Sequence, residues 1–126
     1  MATITEDYVS FEIAKLLVKK SFDYTAEYES YYTLGGTIVY FKDNPQDINI
    51  APRITLQMAM KWLREMHNIT IVIEPHMYDY INEKNSSYVT SLWQGDNYYE
   101  NITSKDYPTY EEAVEMTIKY ALENLV

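Results

Sequence analysis

From Tyr110 to the end of the chain, Tyr110, Ala113, Val114, Thr117, Ile118, Ala121, Leu122 and Leu125 recur at i, i+3, i+4 intervals. That spacing lines one face of an α-helix. A helix so striped must lay its apolar face on another element, which already requires a second layer of structure. Pro108-Thr109 opens the segment, and Thr109 with Glu112 at i+3 forms a capping-box pattern. Hydroxyl and carboxylate there serve the N–H groups that a first helical turn leaves free.

Two further helices are predicted upstream. Ser10 precedes Phe11, Ala14, Leu17 and Val18 at helical spacing, giving a helix near 10–20 behind a hydroxyl cap. Thr55 leads into Leu56-Gln-Met-Ala-Met-Lys-Trp-Leu-Arg-Glu-Met-His67, a run of strong helix formers, and Asn68 supplies a left-handed stop. Between helices the pattern turns β-branched and aromatic. Residues 27–42 read as a hairpin broken at Gly35-Gly36, the pair that supplies positive φ. Residues 43–54 carry turn chemistry and no clear period, so an ordered loop is predicted, with Pro52 holding residue 51 extended. Ile69, Ile71 and Ile73 alternate with polar or outward residues until Pro75, which is read as the end of the strand. Tyr88-Val-Thr-Ser-Leu-Trp93 is read as its antiparallel neighbour, closed by Gln94-Gly-Asp-Asn97. The predicted order is α-β-β-α-β-β-α: an α+β domain over residues 1–126 with a four-stranded antiparallel sheet and helices packed on one face. Leu17, Leu63, Ile71, Val114, Ile118 and Leu122 are the predicted core.

Composition narrows function more than it identifies it. Hydrophobic residues make up 47% of the 126, with Gly at 3 and Pro at 4, which fits a folding domain rather than a disordered segment. Cysteine is absent, so disulfides, thiolate metal sites and cysteine nucleophiles are excluded. No phosphate loop, Gly-x-Gly-x-x-Gly or Gly-x-Ser-x-Gly is present. The acidic start, Thr5-Glu6-Asp7, lacks the basic and apolar regions of a secretory signal, and no run is long enough to span a bilayer. A cytoplasmic protein is the expectation. The Asn-x-Ser/Thr sequons at Asn68, Asn85 and Asn101 then carry no glycan.

Net charge is −9. From Asp96 onward, Glu100, Asp106, Glu111, Glu112, Glu115 and Glu123 stand against Lys105 and Lys119 alone. Displacing phosphate counterions needs clustered Lys and Arg, so direct nucleic-acid binding is not expected. Lys15, Lys19 and Lys20 sit late on a predicted helix, where they complement its dipole.

Glu74, His76 and Asp79 are the one place where imidazole and carboxylates crowd together, as a metal site or acid–base pair requires. Their spacing matches no specific zinc pattern, so His76 reads as a solvated loop residue. No metal and no cofactor are expected. His67 falls in a last helical turn, where an imidazole can donate to free carbonyls. Trp62, Met58, Met60 and Met66 make their helix apolar around much of its circumference, for burial under the 43–54 loop or for self-association. The 14 tyrosines are the compositional oddity. Cross-strand packing accounts for many of them. A binding face is the other reading, with Asp96, Tyr98, Tyr99, Glu100, Asp106 and Tyr107 as candidate partner-binding residues because rings beside carboxylates suit an Arg-bearing partner.

Tyr8-Val-Ser-Phe-Glu-Ile-Ala-Lys-Leu-Leu17, Ala51-Pro52 with Leu56 to Ile69, and Tyr110-Glu-Glu-Ala113 running to Leu125 together resemble a group of short hypothetical proteins of gut Bacteroides genomes and their prophages or phages. Lys61-Trp62-Leu63-Arg64 and His67-Asn68-Ile69 are the most distinctive pieces. The resemblance covers the three helices and implies a bacterial or phage cytoplasmic setting, with no activity and no active site to transfer. The leading functional expectation is a non-enzymatic protein-interaction module, a phage or prophage accessory factor with an unknown protein partner. One alternative is an acidic nucleic-acid mimic that blocks a host protein. Another is a small metal-dependent enzyme built on Glu74, His76 and Asp79.

Overall fold

The computed structural model describes residues 7–22, 28–40, 51–76, 87–103 and 105–126. They fall into two compact units, Met1–Ala59 and Met60–Val126.

In the first unit, helix α1 (Phe11–Lys19) begins where Ser10 Oγ accepts the Ile13 N–H at 3.3 Å. Its Ile13, Ala14 and Leu17 are buried. Strands β1 (Tyr31–Tyr32) and β2 (Ile38–Val39) form the hairpin expected around Gly35-Gly36, with paired residues far fewer than the 27–42 span. Thr33 N–H bonds the Thr37 carbonyl at 2.8 Å, leaving Leu34-Gly35-Gly36 as the turn. Only Gly36 takes a positive φ, +87°, and a Cβ there would stand 3.1 Å from the Phe11 ring. Glycine is therefore favoured by conformation, and a Cβ would in addition crowd the Phe11 ring.

The predicted 43–54 loop contains a third strand, β3 (Ala51–Pro52), antiparallel to β1 with Tyr31 opposite Pro52 and Tyr32 opposite Ala51. The sheet order is β2-β1-β3. Arg53 N–H bonds the Ser30 carbonyl at 2.9 Å, so the adjacent Pro52–Tyr31 pair exchanges no hydrogen bonds and the missing proline N–H is not needed. Val9 N–H reaches the Ile54 carbonyl and Leu56 N–H the Asp7 carbonyl, both at 2.9 Å, which ties the segment before α1 to the strand's continuation.

Helix α2 (Leu56–His67) starts at Thr55, whose Oγ1 accepts the Met58 N–H at 3.1 Å, and stops at Asn68 with φ 56°. Ala59 and Leu63 are fully buried, while Met58 and Met66 are exposed. His67 makes no cap with the last carbonyls: its ring packs edge-on against Trp62, centroids 4.6 Å apart.

In the second unit, β4 (Ile69–His76) pairs with β5 (Ser87–Gln94), and β5 with β6 (Asn97–Tyr99), all antiparallel in the order β4-β5-β6. The four-stranded sheet predicted for this chain is thus replaced by two three-stranded antiparallel sheets, because β3 and β6 are strands that the residue pattern hides. Pro75 does not end β4. It sits opposite Tyr88, whose N–H and C=O both turn to Tyr107 at 2.8 and 2.9 Å, so this pair too exchanges no bonds and the strand runs on to His76.

Helix α3 (Tyr110–Asn124) packs on β4 and β5. Its Ala113, Val114, Thr117, Ile118, Ala121 and Leu122 are buried, facing the side of the sheet that carries Ile69, Ile71, Thr90 and Leu92. Five of the six predicted core residues are buried, and Ile71 is half-buried. Gln94 Nε2 donates to the Leu125 carbonyl at 3.2 Å, fastening the helix end to β5. At the other end Thr109 Oγ1 accepts the Glu112 N–H at 3.1 Å, half of the predicted box. Thr109→Ala should lower stability by about 1 kcal/mol in urea unfolding. An unchanged midpoint would mean that the cap adds nothing to α3.

Among the described residues no helix is long and apolar enough to cross a membrane.

Candidate functional site

The β5–β6 hairpin turns on Gly95-Asp96, with Gln94 opposite Asn97 and the positive φ, +60°, at Gly95. Gly-X in a two-residue connection suits the right-handed twist of the strands it joins. Gly95 N–H also bonds the Asn68 carbonyl at 3.0 Å, which holds the turn against the junction of α2 and β4. Register then places Trp93 directly across from Tyr98. Side chains alternate along a strand, so this pair points away from α3, on the same face as Thr70, Val72 and Val89. The two rings lie 4.9 Å apart at 41°, and each residue remains 43% exposed.

The same alternation divides the predicted partner-binding set. Tyr98 belongs to the outer face, whereas Tyr99 lies opposite Leu92 on the side that faces α3 and is half-buried. Tyr107 is only 3% exposed, bridged through its backbone to Tyr88, with Lys105 Nζ 5.5 Å from its ring centre. Asp106 accepts a hydrogen bond from Ser87 Oγ at 2.9 Å. Asp96 in the turn and Glu100 just beyond β6 are exposed. The outward-facing part of the set is therefore Asp96, Tyr98 and Glu100, joined by Trp93, which the residue pattern alone leaves as an ordinary strand residue. A usable signal was present: reading Gly95-Asp96 as a two-residue hairpin turn would have set Trp93 against Tyr98.

Beyond β6 the chain keeps company with β5. Asn101, at φ 47°, donates its N–H to Ser91 Oγ at 3.2 Å, Ile102 N–H bonds the Thr90 carbonyl at 3.0 Å, and the Thr90 and Thr103 hydroxyls meet at 3.0 Å. The Ser91 bond lies on the outer face and the Thr90–Thr103 contact on the side of α3, so the segment after β6 is fastened to β5 from both faces.

Of the suggested metal cluster, Glu74 is exposed on β4. Asp79 and the His76 side chain lie outside the described residues. Among the described residues no group of His, Asp and Glu side chains is arranged to hold a metal ion. Comparison with protein-family models, curated proteins and solved structures finds no match to the chain.

Proposed function

We propose that this chain is a non-enzymatic interaction module that receives a basic, Arg-bearing protein segment on the outer face of the β4–β5–β6 sheet. The observation that supports this reading is the solvent-facing Trp93–Tyr98 pair with Asp96 and Glu100 beside it. Large amphipathic rings on a braced strand give contact area at little entropic cost, and they are the residues in which interface energy concentrates. Their faces attract a guanidinium, and the flanking carboxylates add long-range attraction from a chain of net charge −9. The setting this reading fits is that of an accessory factor in a bacterial or phage cytoplasm.

The test compares capture of basic proteins from bacterial lysate by the wild type, Trp93→Ala and the double variant Asp96→Lys, Glu100→Lys. Trp93→Ala should weaken capture by about 2 kcal/mol or more. The charge reversal should lower it further and remove most of its salt dependence. Asp106 is left out because its bond to Ser87 belongs to the fold. Equal capture by all three proteins, each folded by circular dichroism, would eliminate this face.

A further inference from the structure

Arg53 follows the edge strand β3 and is held from several sides. Its N–H bonds the Ser30 carbonyl, its Nη1 donates to Ser30 Oγ at 3.2 Å, and its guanidinium carbon lies 3.9 Å from the centre of the Tyr8 ring. Ser30 is fully buried, so the anchor is fixed. The guanidinium nevertheless has donors in surplus beyond the one that reaches Ser30 Oγ. Nε, closed off from solvent without a hydrogen-bond partner, is not one that a ligand in solution can reach, so the terminal nitrogens are the donors left for it. In a chain with 19 acids against 10 bases, a guanidinium with no ion pair among the described residues stands out as a positive charge open to a ligand.

Beside it opens a hollow of about 140 Å³. Tyr8, Tyr28, Ile54 and Met58 give it apolar walls, with Thr55 and Glu29 as its other polar members. We propose that this hollow binds a small free monocarboxylate with an apolar body about the size of a benzene ring. The volume is close to the ~150 Å³ that holds benzene in an apolar cavity. The guanidinium meets the carboxylate. Thr55 Oγ1 already accepts the Met58 N–H, which leaves its hydroxyl hydrogen to donate to the ligand. Glu29 is exposed at the same hollow and repels a second negative charge, so a monoanion is preferred to phosphate.

The test is titration of the ¹⁵N-labelled chain with benzoate, with its uncharged isostere benzamide, and with inorganic phosphate. Benzoate should produce saturable shifts at the amides of residues 53–58, with benzamide and phosphate weaker by about tenfold or more. Arg53→Gln should weaken benzoate by a similar factor, and Glu29→Gln should tighten it. Glu29 is a surface residue, so that variant keeps the test open if Arg53→Gln fails to fold. Benzamide or phosphate binding as well as benzoate, the absence of saturable shifts, or a folded Arg53→Gln variant that binds unchanged would each overturn the assignment.

Discussion

Leu122→Ala should lower the free energy of unfolding by about 2 to 5 kcal/mol. Leu122 is fully buried on α3, in the stripe that also buries Val114 and Ile118 against β4 and β5. Alanine removes the transfer free energy of the lost carbons and leaves a void that the neighbours fill only in part. The measurement is urea unfolding followed by far-ultraviolet circular dichroism. A loss below about half a kcal/mol would show that the stripe gains little from the sheet and belongs at an interface instead.

Tyr32 is the corresponding test of the first unit, where an aromatic ring and its hydroxyl contribute separately. The Tyr32 hydroxyl donates to the buried Val9 carbonyl at 2.6 Å, and the ring lies against Phe11 with centroids 5.6 Å apart. Tyr32→Phe keeps the ring and strands the carbonyl, which should cost about 1 to 3 kcal/mol. Tyr32→Ala removes the ring as well and should cost about 3 to 5 kcal/mol. The gap between the two variants in the same urea experiment isolates the ring. No gap would mean that Tyr32 acts through its hydroxyl alone.

The helices were legible because each repeats its signal over several turns and carries a hydroxyl at its start: Ser10, Thr55 and Thr109 all accept the bonds their positions imply. The strands were legible only where they are long. β3 has two residues, one a proline, and no period can be read from two residues. β6 has three, and Tyr98-Tyr99 looks the same whether it forms a strand or a loop until the turn before it fixes the register. The same short strand is why the candidate set holds both Tyr98 and Tyr99. Without a strand, Tyr98 and Tyr99 count as neighbours, whereas a pleated backbone sends them to opposite sides. Arg53 was invisible for a different reason. Nothing local distinguishes an arginine after a proline, and its anchor Ser30 and its stacking partner Tyr8 come from distant parts of the sequence.

Each sheet has a proline on a strand at its margin, Pro52 on β3 and Pro75 on β4, and both are turned so that the nitrogen points away from the neighbouring strand. An unprotected margin is a template on which another chain can assemble, and this is how sheet proteins aggregate. A strand approaching β4 from outside would meet, at the exposed Pro75, a position with no hydrogen to give and a ring in the way. Pro52 is itself buried where α1 packs on β3, so on that side the helix covers the margin. Pro75, which folds into its sheet without loss inside the molecule, thus acts against the extension of that sheet outside it.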